Sequence, residues 1–423
     1  MKHDIIKRVI LDQRQVIQDA EIIERDYRFE SEANYILVGV RRSGKSTLLY
    51  KKAKELVRQG ADWDQICYVN FEDDRLMEFR SMDFDDLLES AHEFTGKKIY
   101  YFFDEVQNID HWEHFARRLA DYKERVYITG SNAKMLSSEM EARLGGRYLS
   151  KTIMPFSFGE SLDYKRIPHD SKALLMTSSS GQIQGASKEY LHTGGLPEAL
   201  AFKNKREYLQ NIYDKVLLGD IITRNKVKNP MAMKLLMKKI AETVMHEVSF
   251  TKLSGAVKAT GVPFSTDAAI LYAGYAEKAY LLFHLSNYVA KFSEKENTPR
   301  YYFTDNGFLS LFLIDKDAAL LENAVADQLH RFYGDEVYYF KSKTTGIDID
   351  FYVPEKQLAI QVAYSLNPDS YDREIKSLVK FAKTSKENIK YYTVTYEEEK
   401  RIETDGVSIE VVPLYKFLLL EEL

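Results

Sequence analysis

The chain has 423 residues, of which 45% are hydrophobic and 29% charged, so it can build more than one globular core and is neither disordered nor fibrous. The formal net charge of −5 excludes a chain that is basic overall, although a local basic surface stays compatible with nucleic acid. The single cysteine, Cys67, excludes a disulfide framework and a multi-cysteine zinc site. Since no apolar run approaches the roughly 20 residues of a transmembrane helix, we expect a soluble, cytoplasmic protein without a membrane partner.

The first part of the chain alternates between strand and helix patterns. Short apolar runs predict buried strands, and apolar residues at helical spacing predict helices between them. The predicted strands are 35–39, 66–71, 98–103 and 125–129, and the predicted helices are 1–30, 46–59, 84–94 and 112–122. Such alternation requires crossover connections, so we expect an α/β domain at 1–176 with a parallel sheet covered on both faces.

The remainder predicts a linker and two further domains. Residues 177–188 are rich in Ser, Thr and Gly, which predicts a linker. Helical periodicity runs from 189 to about 280, interrupted by turns near 229–230 and 260–263, which predicts a helical domain at 189–305. Residues 306–423 predict a second α/β domain, with helices at 322–333 and 377–383 and strands at 337–340, 348–353, 358–364, 391–395 and 409–412.

A phosphate-binding motif follows the first predicted strand. Residues 39–47, Gly-Val-Arg-Arg-Ser-Gly-Lys-Ser-Thr, fit the P-loop pattern G-x-x-x-x-G-K-[ST] and lead into a predicted helix. Backbone amides of such a loop hold phosphate oxygens, Lys45 reaches the β- and γ-phosphates, and the Ser46 hydroxyl is the expected Mg²⁺ ligand. The alternative is a glycine turn with an exposed lysine. We expect ATP and Mg²⁺ to bind at Gly39, Arg42, Ser43, Gly44, Lys45, Ser46 and Thr47.

An acidic pair, Asp104 and Glu105, ends the strand predicted at 98–103. This arrangement fits a Walker B element, in which Asp104 contacts Mg²⁺, usually through water, and Glu105 orients or deprotonates the attacking water. The alternative is the solvated end of an ordinary strand. Because the pair comes in the same chain as a well-formed P-loop, we assign Asp104 to the metal and Glu105 to catalysis.

Two further groups are candidates for catalysis. Asn132, with Ser131 as second choice, follows the strand at 125–129 and is expected to sense the γ-phosphate or hold the water, although an ordinary N-capped turn is equally compatible. Arg147, with Arg143 as second choice, is expected to stabilise charge on the transferring phosphoryl group. The alternative for both arginines is a surface loop beside two glycines.

Taken in order, several motifs resemble those of a known family. The chain is similar to bacterial and archaeal ATP-binding proteins that join an AAA-like P-loop ATPase domain to a C-terminal domain of unknown function. The matching segments are 39–47, 103–107, 128–131, 144–148, 155–158 and 194–198. The resemblance implies an ASCE-type sheet, with the Walker B strand not adjacent to the P-loop strand, and a catalytic Glu105. It also implies ATP rather than GTP, a winged helix in the middle region and a restriction-endonuclease-like C-terminal fold.

The middle region carries a local positive charge. Residues 203–258 contain twelve Lys or Arg against five Asp or Glu, and 250–258 and 265–278 predict a helix-turn-helix. The second of these helices has no Arg or Gln to read bases, so we expect contact with the DNA backbone rather than sequence recognition. A helical domain that contacts a protein partner is an equal alternative.

The C-terminal region resembles a nuclease site that has lost essential groups. Asp348 and Asp350 alternate along one strand and share a face, and Glu322 could supply a further carboxylate. A PD-(D/E)XK nuclease places an acid and a lysine on the next strand, but Gln361 and Ala363 stand at those positions, and neither replaces the group that binds metal or activates water. We expect a non-catalytic, degenerate nuclease-like domain; plain amphipathic strands are the alternative.

These observations favour an ATPase whose P-loop domain drives C-terminal domains that contact DNA or protein. An ATP-dependent binding switch with little turnover is the second hypothesis. An ATP-regulated nuclease is the least supported of the three.

Overall fold

The structure, a computed structural model, describes residues 3–130, 138–291, 295, 297–314, 316–385 and 388–420. Contacts divide the chain into two compact units. The first unit comprises Met1–Met154 and Lys278–Tyr280, and the second unit comprises Pro155–Glu277 and Leu281–Leu423. No helix in the described ranges combines the length and the apolar character needed to span a membrane.

The first unit alternates between helices and strands in the predicted order. It contains α1 (His3–Asp19), β1 (Asn34–Val38), α2 (Lys45–Arg58), β2 (Ile66–Asn70), α3 (Phe84–His92), β3 (Tyr100–Asp104), α4 (Trp112–Asp121), β4 (Arg125–Thr129), α5 (Ser138–Leu144) and β5 (Tyr148–Thr152). The predicted helix at 1–30 is too long, since α1 ends at Asp19. Strand β5 was not predicted, because its edge position leaves its residues exposed or half-buried and removes the apolar pattern of a central strand.

The five strands form one parallel sheet in the order β2-β3-β4-β1-β5. Strand β4 therefore lies between β1 and β3, so the strand that precedes the P-loop and the strand that ends in the acidic pair are not neighbours. Successive residues of β1 enter different apolar clusters, Ile36 and Val38 on one face and Tyr35 and Leu37 on the other. This two-residue period buries both faces, as expected for a parallel sheet.

The second unit begins with helices. These are α6 (Phe158–Tyr164), α7 (Ser171–Leu175), α8 (Thr177–Thr193), α9 (Lys205–Lys215), a wider π-helical segment (Val216–Thr223), α10 (Pro230–Glu242), α11 (Phe250–Lys258) and α12 (Thr266–Lys278), although the last residue of α12 groups with the first unit. The linker predicted at 177–188 is wrong, because α8 covers it. Ile183, Ala186, Ser187, Tyr190 and Leu191 are buried at helical spacing, and this packing overrides the weak helix propensity of the Ser- and Gly-rich sequence.

An antiparallel pair of strands, β6 (Leu282–Leu285) and β7 (Arg300–Phe303), follows these helices. Ahead of the pair, the Val248 backbone N–H donates to the Pro299 carbonyl at 2.8 Å. The turn at Gly194 and Gly195 is fixed by close packing, because a Cβ on Gly195 would lie 2.0 Å from the Phe156 carbonyl oxygen. The segments 155–158 and 194–198 are thus paired through backbone contacts in this unit, including Phe156 N–H to Gly195 O at 2.7 Å.

The last part of the second unit is a mixed sheet. Its elements are α13 (Asn306–Ser310), α14 (Asp317–Tyr333), β8 (Tyr338–Ser342), β9 (Ile347–Val353), β10 (Leu358–Val362), α15 (Pro368–Thr384), β11 (Lys390–Thr395), β12 (Lys400–Thr404), β13 (Val407–Pro413) and α16 (Leu414–Phe417). The strand order is β12-β13-β11-β10-β9-β8. Strand β12 was not predicted, because this charged edge strand, Lys-Arg-Ile-Glu-Thr, buries only Ile402.

Candidate nucleotide site

The P-loop connects the end of β1 to the first residue of α2. Gly39 has φ of 142°, and a Cβ on it would lie 2.3 Å from the Ile153 carbonyl oxygen, so only glycine fits. Gly44 has φ of 97° and caps α2. The loop thus turns sharply into a helix N-terminus, where unpaired amides and the helix dipole favour an anion.

Lys45, the first residue of α2, is only 4% exposed. Its ammonium group donates to the carbonyl oxygens of Gly39 at 3.0 Å and Val40 at 2.9 Å. Ser43 is fully buried, and its hydroxyl has no hydrogen-bond partner among the described residues. A buried cation, a helix N-terminus and an unpaired hydroxyl within one short loop fit the phosphates of a nucleotide.

The loop is held from behind by Arg25, which is buried. Its guanidinium donates to the Ser43 carbonyl at 3.0 Å and to the Met154 carbonyl at 2.8 Å. Ser46 and Thr47 follow Lys45 in the first turn of α2 and are half-buried. Arg42 is exposed with φ of 66°, and the Arg41 guanidinium lies 3.5 Å from a Glu72 carboxylate oxygen.

Asp104 ends β3 and is 1% exposed. The Tyr68 hydroxyl donates to its Oδ2 at 2.6 Å, and the Thr129 hydroxyl donates to its Oδ1. Two donors hold the carboxylate in one orientation, and they come from the strands on either side of β3. Burial of the Tyr68 phenol, followed by the negative charge of Asp104, raises the pKa of Tyr68. The phenol therefore keeps its proton and stays a donor.

Glu105 follows in a left-handed backbone conformation, with φ of 52°. Its backbone N–H donates to the Thr129 hydroxyl at 3.0 Å, and the Gln107 amide donates to its carboxylate. Burial raises the pKa of the Glu105 carboxyl, while the positive charge of Lys45 opposes that rise and the charge of Asp104 adds to it. Lys45, Asp104 and Glu105 therefore share one electrostatic environment. A carboxylate whose pKa is raised toward neutrality is suited to accept a proton from water.

Two family models match separate parts of the chain. Residues 31–162 match an AAA domain, and residues 184–318 match a domain of unknown function (DUF8612). An uncharacterized protein of Methanocaldococcus jannaschii is 30% identical over 99% of this chain and 96% of its own length. One of Haemophilus influenzae is 30% identical over 91% of this chain and 94% of its own. The chain belongs to this AAA-domain family.

Solved structures offer more distant likenesses. A Walker-type ATPase of Pyrococcus abyssi has a TM-score of 0.42 at 14% identity, covering 71% of this chain and all of its own. The Aeropyrum pernix ORC1 protein, solved with DNA, has a TM-score of 0.32 at 12% identity, covering 77% and 93%. DnaA of Aquifex aeolicus, solved with AMPPCP, has a TM-score of 0.26 at 13% identity, covering 62% and 86%.

In the AAA domain, sequence reasoning missed the side chains that hold the carboxylates. These are Tyr68, Gln107 and Thr129, together with Arg25 behind the loop. Thr129 carried a usable signal, because it ends the strand after the acidic pair and carboxyl ends of parallel strands meet at one edge. Tyr68 and Arg25 gave no signal, since their contacts depend on strand order and on a loop path without a motif. Gln107 lies in the segment 103–107 that carried the family resemblance, but it was given no role.

The structure does not bring Arg147 to the P-loop. Arg147 precedes Tyr148, which pairs with Asn34 at the start of β1, whereas the P-loop follows the opposite end of β1. The length of the strand, roughly 16 Å at ~3.3 Å per residue, separates the two positions. Arg147 pairs instead with Asp121 at 2.5 Å, and Arg143 pairs with Glu113. The prediction that Arg147 stabilises charge on the phosphoryl group is therefore wrong within one chain. Asn132 and Ser131 lie outside the described residues.

The positions compared with those of a nuclease lie close together in the second unit. The Gln361 amide is 2% exposed; it donates to the Asp348 carbonyl at 3.0 Å and accepts from the Asp350 backbone N–H at 2.7 Å. Ala363 is buried and offers no charge. Glu322 is buried and accepts a hydrogen bond from the Tyr302 hydroxyl at 2.8 Å. Gln361 thus bonds to the backbone where a catalytic acid would face a metal ion.

Proposed function

We propose that this protein binds ATP with Mg²⁺ and hydrolyses it, and that the second unit couples this cycle to DNA or protein. The observation that carries the proposal is the shared environment of Lys45 at the start of α2 with Asp104 and Glu105 at the end of β3. The charge of the buried lysine acts on the Glu105 carboxyl, and Asp104 is held rigidly beside it. A structural lysine and a solvated strand end would not need this arrangement.

Each residue then has a role that its contacts support. The loop amides and the Lys45 ammonium bind phosphate oxygens, and the lysine exchanges its two carbonyl acceptors for them. Ser46 and Asp104 would hold Mg²⁺, and the ion would neutralise charge on the phosphates. Glu105 orients water and takes its proton. Gly39, Gly44, Arg42, Ser43 and Thr47 shape and complete the loop.

The test uses Lys45→Ala and Glu105→Gln in the full chain. Lys45→Ala should lose ATP binding, since it removes the buried cation. Glu105→Gln should keep ATP binding within about threefold of wild type and lose turnover by 10² or more, since an amide cannot accept the proton. Fluorescent-nucleotide titration and steady-state phosphate release measure the two effects. Wild-type turnover in Glu105→Gln would refute the catalytic role.

For the second unit we propose a winged-helix arrangement. Helices α10, α11 and α12 are followed directly by the antiparallel pair β6–β7, and the Val248–Pro299 backbone hydrogen bond extends that pair. This order of three helices and a hairpin matches a helix-turn-helix with a wing.

Contact with the DNA backbone is supported by a pocket of about 660 Å³ at the turn between α11 and α12. Lys228 and Lys258 line it, together with residues 261–265. Two lysines beside a helix N-terminus supply the charge that phosphate contacts require. This is consistent with the excess of basic residues in 203–258.

A protein partner is the second candidate for this unit, because α12 exposes Ile270 at 45% and Leu271 at 51%. Neighbouring exposed aliphatic side chains contact other proteins more readily than phosphates. In that case the AAA domain would act as an ATP-dependent binding switch. Phosphate release measured with and without DNA separates a DNA-stimulated ATPase from such a switch.

We propose no nuclease activity for the C-terminal sheet. Gln361 uses its amide to tie β9 and β10 together, and Ala363 replaces the lysine that would assist the water. Plasmid DNA incubated in Mg²⁺ or Mn²⁺ should stay intact; degradation that disappears in Asp350→Ala would overturn this view.

A further inference from the structure

The second unit buries a charged cluster whose centre is Arg300, the first residue of β7. Arg300 is 3% exposed. One guanidinium nitrogen lies 2.7 Å from Asp348 Oδ1 and the other lies 3.4 Å from Asp350 Oδ1. The guanidinium carbon lies 4.4 Å from the centre of the Tyr339 ring. The cation is thus bound at its edge by two carboxylates of β9 and at its face by an aromatic ring.

Two more carboxyl groups complete the cluster. Glu322 of α14 is 1% exposed, and its carboxyl, when ionised, raises the pKa of Arg300. Glu374 of α15 is 3% exposed and accepts a hydrogen bond from the Gln361 amide at 2.8 Å. Burial and the charge of Asp350 raise the pKa of both groups. Asp348, Asp350 and Glu322, from β9 and α14, therefore act on one guanidinium, and Glu374 of α15 interacts with Asp350.

The other cations in contact with these carboxyls lie nearer the surface. The Arg373 side chain, which pairs with Glu374, is 72% exposed. The Lys341 ammonium lies 3.4 Å from Asp348 but also 3.2 Å from Glu247, and its side chain is 35% exposed. Among the cations that contact the cluster in the described part of the chain, Arg300 alone is almost completely buried.

We propose that this cluster is a cation site whose cation is the Arg300 guanidinium, so that removing the guanidinium opens a site for a hard divalent metal ion. Buried carboxylates are costly without a cation, and carboxylate oxygens are the ligands that Mg²⁺ and Mn²⁺ prefer. The Arg300 guanidinium, which is covalently part of the chain, balances the charge of these carboxylates at all times. The wild-type second unit therefore holds its own cation and takes up no metal ion there. The inference is independent of ATP hydrolysis.

The test is Mn²⁺ binding to the nucleotide-free full chain, followed by electron paramagnetic resonance and by thermal unfolding. Arg300→Ala should bind one Mn²⁺ per chain more than wild type, and Mn²⁺ should raise its Tm by several degrees because the ion binds only the folded form. Adding Glu322→Gln to Arg300→Ala should abolish the extra site. A folded Arg300→Ala variant without an extra Mn²⁺ would overturn the proposal.

Arg331→Ala is the matched control. Arg331 is also mostly buried, but its guanidinium lies 3.4 Å from the Asp327 carboxylate, and the Asp305 carboxyl, on which its charge also acts, already accepts hydrogen bonds from the Gly195 and Gly307 backbone N–H groups. Arg331→Ala should create no divalent metal site. It therefore separates the general effect of losing a buried arginine from the specific effect of losing the Arg300 guanidinium.

A second comparison applies where Arg300→Ala does not fold. Wild type and Glu322→Gln, both with Arg300 intact, should bind Mn²⁺ equally. Mn²⁺ that binds wild type and is lost in Glu322→Gln would show that the cluster already takes a metal ion, and the proposal would fail. Equal binding would support it.

Discussion

At the scale of single residues, the candidate nucleotide site depends on groups that hold carboxylates in place. The Thr129 hydroxyl donates to the Asp104 carboxylate and accepts from the Glu105 backbone N–H. One hydroxyl on β4 thus connects both members of the acidic pair. Its removal should disturb both.

Thr129→Val should lower kcat roughly tenfold and destabilise the first unit by about 1–3 kcal/mol, because a methyl group of similar size leaves a buried acceptor and a backbone donor unpaired. Thr129→Ser, which keeps the hydroxyl, should retain most activity and stability. Steady-state phosphate release and urea unfolding measure these effects. Equal behaviour of the Val and Ser variants would show that the hydroxyl contributes nothing.

Gln107→Ala should shift the pH dependence of ATP turnover. The Gln107 amide donates to the Glu105 carboxylate and thereby lowers its pKa against the effect of burial. Without this donor the pKa of Glu105 rises, the base is protonated at higher pH, and the acidic limb of the kcat profile should move to higher pH. Asn108→Ala, at the exposed neighbouring position, is the control and should leave the profile unchanged. A profile of Gln107→Ala identical to wild type would contradict the contact.

At this scale the sequence predicted what local motifs encode. Gly39 and Lys45 belong to one short loop, and Asp104 and Glu105 are adjacent at one strand end, so a local motif predicts each of the two groups. Tyr68 and Thr129 meet Asp104 only because β2 and β4 are the neighbours of β3. The prediction for Arg147 was wrong because it also depended on how the strands are arranged. Strand β5 runs parallel to β1, so Arg147 lies at the amino ends of the strands, whereas the P-loop follows the carboxyl end of β1.

At the scale of elements, the turn between α11 and α12 is where the second unit should meet DNA. Lys228→Ala combined with Lys258→Ala should weaken binding to duplex DNA roughly tenfold. The slope of log K against log salt concentration should become less steep by about one to two, because each lysine neutralises one phosphate. Fluorescence anisotropy at several salt concentrations measures both quantities. Lys400→Ala, on the edge strand β12, should bind like wild type. Unchanged affinity in the double variant would favour the protein partner.

Element prediction succeeded where burial follows the period of the local structure. Residues of strands β1 to β4 alternate between two apolar clusters, so these strands appear as short apolar runs in the sequence. It failed at α8, where packing of a few apolar residues outweighs Ser and Gly. It also failed at the edge strands β5 and β12. Each of these strands is defined by hydrogen bonds to one neighbouring strand and has no buried apolar face that the sequence would show.

At the scale of the whole molecule, stability should depend on pH through the carboxyls around Arg300. Burial raises the pKa of Glu322 above its ordinary 4.5. The folded protein therefore keeps a proton that the unfolded chain loses, and stability should fall as pH rises above about 5 toward 8. Calorimetric unfolding across this range measures the slope.

Glu322→Gln should reduce that slope, because the amide mimics the protonated carboxyl and can still accept from the Tyr302 hydroxyl. Glu336→Gln, at an exposed position, should keep the wild-type slope. A Glu322→Gln variant that loses stability with pH as steeply as wild type would show that this carboxyl keeps no proton on folding.

Tyr280 has a practical consequence for dissecting this protein. It packs against the apolar cluster of the first unit, and Thr152 hydrogen-bonds its hydroxyl, although it follows α12 in the chain. An expression fragment that stops at Met154 would thus be missing a piece of its own interior. No single cut of the polypeptide separates the two units with each complete. Loss of activity in an N-terminal fragment would therefore reflect the apolar surface left exposed by the missing Tyr280, and would say nothing about the activity of the full chain.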